Sequence, residues 1–273
     1  MATIRPTAVW AVIIDRTGKD CSCQYRFTTM SVAAIILVLI TVTFLAWERI
    51  RPGRFLPVSD GWYVRSLTIN LVQLLTTVIV GIYWHHWWTG WSLLTTASIG
   101  MPPLEGFGGW FVGTFVFYWW HRLRHRAGFW QVFHQVHHSP RRIEVLTSFY
   151  KHPVEILCNS LLTSLILFPV LGVSVAAAAW YNLFAATGEY FYHANVRTPT
   201  WLRYFVQTPE LHSIHHQFDV HSYNFSDIPI WDRIFGTYRD SVEFTARCGF
   251  PDGAEQKLAQ MLIFRDVYAY RDA

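Results

Sequence analysis

From Thr28 to Trp47 the chain runs twenty residues without a charge. That is enough helix to cross a hydrocarbon core of about 30 Å at 1.5 Å per residue. The loop that follows carries Arg49, Arg51 and Arg54, and Pro52 and Pro57 stop the helix. Val64 to Trp84 predicts a second span, whose Asn70 and Gln73 are expected to face other helices, where amides find partners. It ends in Tyr83-Trp84-His85-His86-Trp87-Trp88, an aromatic belt suited to a membrane–water boundary. Phe107 to Trp120 is a third, shorter apolar segment that leads straight into His121. Val154 to Thr187 is apolar over 34 residues and interrupted by Pro169 and Gly172. It reads as a hairpin, fully spanning or dipping in and returning, and either form delivers His193 to the side from which Lys151 departed.

This pattern predicts an all-α, polytopic membrane protein. Residues 1–27 form a polar N-terminal segment, 28–109 hold two transmembrane helices and an external loop, and 110–240 form a catalytic domain with a membrane hairpin over 154–187. Residues 241–273 are a more polar tail ending in a short helix. Counting both halves of the hairpin, four segments enter the membrane besides the short third one. Charge sets the orientation. Residues 85–109 contain no Lys or Arg, whereas Arg49 to Arg65 and Arg122, Arg124 and Arg126 form basic stretches, which places the latter in the cytoplasm. The first histidine cluster then emerges into the cytoplasm.

A single core could serve 273 residues, but the apolar runs argue for an integral membrane protein instead. The formal net charge of +4 is small and patchy, which fits orientation in a membrane and not nucleic-acid binding. Cys21, Cys23, Cys158 and Cys248 show neither zinc-ribbon spacing nor a disulfide framework. No cleavable signal peptide is evident. No glycine-rich dinucleotide fingerprint or P-loop is present, so electrons for any redox chemistry must come from elsewhere.

The histidines carry the chemistry. His121 and His125 are four apart; His134, His137 and His138 follow at relative positions zero, three and four; His212, His215 and His216 repeat that pattern about eighty residues later. On a helix such spacings share a face. Neutral imidazole is a common ligand of transition metals, and eight clustered rings imply more than one ion. A nitrogen-rich set suits iron, zinc or copper over magnesium or calcium. Structural zinc is satisfied by four ligands, so redox-active iron beside a bilayer better accounts for the number. There the substrate is expected to be an unactivated hydrocarbon.

Taken together, HxxxH (His121, His125), HxxHH (His134, His137, His138) and the second HxxHH (His212, His215, His216) resemble the fatty acid hydroxylase/sterol desaturase superfamily. His138-Ser139-Pro140, His152-Pro153, His193-Ala194-Asn195, Tyr223-Asn224-Phe225 and the run Trp231 to Tyr238 fit the same resemblance, which covers roughly residues 110–240. It implies a membrane-bound non-haem di-iron oxygenase that hydroxylates or desaturates lipids with O2 as co-substrate. Two Fe ions are implied, with Zn as a possible substitute in purified protein, and a ferredoxin or cytochrome b5-type electron donor. By matching position the eight clustered histidines are metal ligands and His193 a ninth. Some family members carry a further histidine where this chain has Glu189; Glu189 shares a helical face with His193 and is expected to ligate, bridge or orient within the site, or else to pair with an arginine.

Glu189 and Asn224 complete the candidate catalytic residues, Asn224 and Asp232 being expected to organise the site and not to act as bases. His152, before Pro153, reads as a helix-start residue, and His221 as support for the last ligand helix. His85 and His86 belong to the opposite interface. Arg122, Arg124, Arg126, Arg141, Arg142 and Lys151 would attract an acidic donor or anionic headgroups, or merely set orientation. Phe111, Phe115, Phe117, Tyr118 and Trp119 either line an acyl or polyisoprenoid tunnel or form a lipid-facing or packing surface. The ending Tyr270-Arg271-Asp272-Ala273 lacks a dilysine retrieval signal, which favours a bacterial inner membrane over the endoplasmic reticulum. The expected function is insertion of oxygen into a lipid C–H bond; desaturation and a non-catalytic metal-binding role are the alternatives.

Overall fold

The computed structural model describes residues 21–88, 90–126, 128–251 and 253–268. Its helices are α1 (Cys21–Ile50), α2 (Trp62–Trp87), α3 (Pro102–Arg124), α4 (Gln135–His138), α5 (Pro153–Leu165), α6 (Val175–His193), α7 (Pro209–His215), α8 (Pro229–Ile234) and α9 (Leu258–Leu262). Among the described residues the only strand-like pairing is one antiparallel bridge between Gln217 and Cys248. The all-α expectation holds. Among the described residues α1 already runs from Cys21, seven residues before the charge-free run. Residues 1–20 and the ending Tyr270 to Ala273 lie outside the described residues.

Among the described residues three helical stretches are long and apolar enough to cross a membrane: Thr28–Ile50, Trp62–Trp84 and Pro153–Val170. Ile35, Val38, Leu39 and Val42 on α1, and Leu71, Leu74 and Val78 on α2, point outward and are more than half exposed. Apolar surface left outward over this length is stable only against lipid, because each Å² facing water would cost about 25 cal/mol.

Alternating chain direction puts the ends that flank the histidines at one pole of the bundle. Glu48, in the last turn of α1, is buried and accepts the backbone N–H of Val145 (2.9 Å) and of Asn195 (3.2 Å). Glu144 receives Arg49 at 2.8 Å and the Trp62 indole, so the feet of α1 and α2 are tied to one carboxylate. Asn195 clasps the α1–α2 loop, accepting from Arg54 N and donating to Arg54 O. Gly53 is required there, since a Cβ would lie 2.9 Å from the Val196 carbonyl carbon. At the opposite pole the α2–α3 loop runs along the hairpin bend, with Leu93 N donating to Pro169 O and Ala97 N to Gly172 O. The hairpin therefore reaches the same far pole as the α2–α3 connection and does not turn back short of it.

Helix α3 lies close on α6 because Gly106, Gly109 and Gly113 remove side chains from the contact; a Cβ on Gly106 would sit 2.6 Å from Ala177 O. Glu105 fixes the register by accepting from both the backbone N–H and the hydroxyl of Ser174, the cap of α6. The C-terminal stretch returns to the histidine pole, where Phe250 and Met261 pack with Trp130, Val136 and Tyr150.

Candidate metal centre

The histidine-bearing segments reach the site by distinct local devices. His121 sits in the last turn of α3 and His125 caps its end. Gly128, at φ 86°, then turns the chain into a five-residue π turn, Trp130–His134, which continues as α4 and carries His137 and His138. Helix α7 starts at Pro209 with Thr208 as its cap, accepting from Leu211 N, and carries His212 and His215. His193 ends α6.

All nine histidines singled out by spacing and resemblance converge. They form two groups: His121, His125, His134, His138 and His215; and His137, His193, His212 and His216. Within each group one nitrogen per ring lies within 4.8 Å of every other. The partition follows helical geometry. In the first HxxHH the i, i+4 pair His134 and His138 joins the five-ring group and His137 joins the other. In the second the i, i+4 pair His212 and His216 joins the four-ring group and His215 crosses over.

The opposite ring nitrogens are held from behind. His121 Nδ1 meets Phe225 O at 2.6 Å, His215 Nδ1 meets Tyr223 O at 2.9 Å, and His193 Nδ1 meets Glu189 O at 2.8 Å. His134 Nδ1 meets the Glu155 carboxylate at 3.2 and 3.3 Å. A carbonyl or carboxylate beside Nδ1 holds the proton there and turns the Nε2 lone pair toward the group. Burial, followed by the neighbouring rings and basic side chains, lowers the pKa of His134, His137, His138, His212 and His216 well below the ordinary value. His215 is lowered by burial to about 3. The rings are thus neutral, the form that ligates.

This donor set fits transition-metal ions. His212 Nε2 lies 3.1 Å from both His193 Nε2 and His216 Nε2, and His121 Nε2 lies 2.8 Å from His134 Nε2. A ring nitrogen has one in-plane position for a proton or lone pair, so His212 Nε2 cannot hydrogen-bond both neighbours. Two nitrogens bound at ~2.1 Å to one ion lie roughly 3 Å apart, which accounts for both contacts. Both nitrogens of His138 and Nε2 of His215 are buried with no hydrogen-bond partner, a cost that a coordinated ion removes.

Glu189 is in neither group. Its carboxylate pairs with Lys151 Nζ at 2.7 Å, and its other oxygen lies 3.7 Å from His193 Nδ1, so it stands behind that ring with a lysine as its partner. Asn224 adopts φ 56° between the two carbonyls that orient His215 and His121. Its amide donates to Leu211 O and Arg239 O and accepts from Arg239 N, leaving no group for proton transfer. Asp232 secures the same loop through Phe225 N, Ser226 N and the Thr237 hydroxyl. Replacing Asn224 by alanine removes these bonds and keeps the left-handed strain, for a loss on the order of 3 kcal/mol. Asn224→Gly is expected to lose ~1 kcal/mol less because glycine tolerates that conformation. Thermal unfolding of the two variants in detergent measures the difference.

His152 caps α5 by accepting from Val154 N, and its Nε2 reaches Leu262 O of α9. The His221 ring packs 4.9 Å from Trp130 and 5.1 Å from His138, and burial lowers its pKa to about 4. His86 is exposed at the end of α2. The basic residues expected to face a donor or headgroups divide. Arg124 and Lys151 are 5% exposed and paired with Glu155 and Glu189, as buried cations must be, and Arg142 is paired with Glu144. These three are internal braces and leave the surface to the others. Phe111, Phe115, Tyr118 and Trp119 pack on Trp231 or Phe235 and Phe117 joins the α3–α6 core, while Phe111, Phe115 and Trp119 stay 39–45% exposed, so the stripe combines a packing face with an outward apolar edge.

Glu155 was missed. A carboxylate two residues into the apolar stretch after Pro153 is itself a signal, since an ionisable group at membrane depth is seldom idle.

The fatty acid hydroxylase family model matches residues 107–237. A very-long-chain aldehyde decarbonylase of Oryza sativa subsp. indica is 31% identical over 164 residues, 55% of this chain and 24% of its own length. Sphinganine C4-monooxygenase 1 of Arabidopsis thaliana is 32% identical over 126 residues, 44% of this chain and 48% of its own. The ornithine lipid hydroxylase OlsE of Rhizobium tropici is 27% identical over 161 residues, 57% of this chain and 45% of its own. The chain thus spans between a quarter and a half of the length of these relatives. No solved structure matches. The matched region encloses the nine converging histidines on a membrane-helical frame, and over it the chain is similar to the fatty acid hydroxylase family.

Proposed function

We propose that this chain is a membrane oxidoreductase that hydroxylates a lipid C–H bond, using O2 and two electrons from a separate ferredoxin or cytochrome b5-type donor. Residues 110–240 form its catalytic unit. One oxygen atom enters the product and the other leaves as water. The observation that carries the reading is the convergence of nine neutral histidines into a group of five and a group of four. His121, His125, His134, His138 and His215 would hold one iron ion, and His137, His193, His212 and His216 the second. Bound iron supplies the reduction of O2 and the oxidising power to break an unactivated C–H bond. The chain's own residues do the rest. Phe225 O, Tyr223 O, Glu189 O and Glu155 aim the rings, and the packed aromatic rings of Trp130 and Phe225 keep water from the five-ring group. The site lies at the pole where α1 ends and α2 begins, and the arginine-rich loops there favour the cytoplasmic side.

The rice relatives named as aldehyde decarbonylases favour a second reading, in which a fatty aldehyde loses its carbonyl carbon. Protein loaded anaerobically with ferrous ion, then given reductant, O2 and a lipid extract, separates these by product mass. Gain of one oxygen atom supports the hydroxylase, loss of two hydrogens a desaturase, and a product one carbon shorter the decarbonylase. O2 left unconsumed with both ions bound supports a non-catalytic metal-binding protein.

A further inference from the structure

A cavity apart from the histidine groups opens where the α1–α2 loop meets the C-terminal segment. Its volume is about 420 Å³, and its lining includes Arg54, Phe55, Arg141, Arg247 and Cys248. Three guanidinium-bearing residues and no carboxylate line it. Among the described residues neither Arg54 nor Arg247 has a carboxylate at ion-pair distance. Arg54 is half-buried; Nη1 donates to Thr245 O at 3.0 Å, the Cys248 thiol lies 3.6 Å from Nη2, and its Nε is buried with no partner. A cation taken partly out of water without a counter-charge is unfavourable, and an anion entering the cavity would relieve it.

The position narrows the ligand. The loop joins the feet of two apolar spans, so the cavity opens at the level of the membrane surface. Phe55 on its rim is fully exposed, as Ile50 and Val58 nearly are, which gives the basic cavity an apolar lip. The cavity floor is also continuous with the histidine frame: Gly249 N donates to His216 O and Phe250 N to Ser139 O. A planar guanidinium matches phosphate oxygens in a bidentate fork.

We propose that this cavity is a binding site for a phosphoryl anion at the membrane surface, formed by Arg54, Arg141 and Arg247. The headgroup of an anionic phospholipid and free phosphate share the chemistry, and two probes separate them. Binding of inorganic phosphate and of short-chain phosphatidylglycerol to the full-length metal-loaded protein in detergent is followed by the rise in unfolding temperature, with short-chain phosphatidylcholine as the zwitterionic control. Wild type is expected to be stabilised by phosphatidylglycerol and not by phosphatidylcholine. Arg247→Gln is expected to weaken binding about tenfold, the loss of one charge-assisted hydrogen bond, and Arg247→Lys to restore part of it. A response to phosphatidylglycerol alone identifies a lipid headgroup; a response to phosphate as well identifies the free anion as sufficient. Equal stabilisation of wild type and Arg247→Gln, or none of wild type by either anion, overturns the proposal. The readout is binding and does not depend on the oxygenase reaction.

Discussion

His212→Ala is expected to purify with about one iron per chain, against an expected two for the wild type, and with no detectable turnover. His212 Nε2 lies 3.1 Å from both His193 Nε2 and His216 Nε2, so its ring is central to the four-ring group, and its loss leaves three ligands. His138→Ala is the counterpart in the five-ring group. That group keeps four rings and is expected to retain its ion more often, so the two variants should differ in metal content though both lose activity. Iron measured by elemental analysis against protein, after anaerobic reconstitution, distinguishes them. Equal and complete retention of two ions in His212→Ala would refute the assignment of ligands. His152→Ala is the control: its ring caps α5 and touches neither group, so metal content stays at the wild-type level while the unfolding temperature falls.

Glu155→Ala is expected to be the most destabilising single substitution among the residues that back the histidine groups. The carboxylate has no exposure and serves two partners, the buried Arg124 guanidinium and His134 Nδ1. Removing one member of a buried ion pair strands the other in a low-dielectric setting, at a cost of about 3–5 kcal/mol. It also frees the His134 ring to rotate, and losing such an outer-shell partner lowers metal affinity roughly 10–100-fold. Glu155→Gln keeps an acceptor for His134 but no charge for Arg124. It is expected to recover most of the affinity and little of the stability. Chelator competition reads the first quantity and thermal unfolding the second, and a parallel fall of both in Glu155→Gln would contradict the division of labour.

Much of this architecture is legible in the residue order, for identifiable reasons. The spans of α1 and α2 show because lipid-facing helices are apolar all round, and eight of the histidines show because imidazoles at i, i+3 and i+4 have no packing rationale, His193 being reached only through the family resemblance. The hairpin shows at Pro169 and Gly172, but which pole its bend reaches depends on the backbone bonds between Leu93, Ala97 and the bend, which no local pattern encodes. The division into five and four rings is hidden for a similar reason. Local spacing pairs His134 with His138, yet only the meeting of α4 with α7 assigns His215 to them. Glu155 and Lys151 were obscured because their partners, Arg124 and Glu189, are more than thirty residues away in the chain. The close α3–α6 contact was readable after all, in glycines spaced three and four apart at 106, 109 and 113.

The way each HxxHH segment straddles both groups limits how this protein can be altered. His137 and His138 are chain neighbours that serve different groups, as are His215 and His216. A covalent backbone therefore sets the distance between the two centres, and neither can drift while the other stays in place. Excising one segment strips rings from both, so a mononuclear derivative is reached only by removing single imidazoles and never by deleting a whole motif.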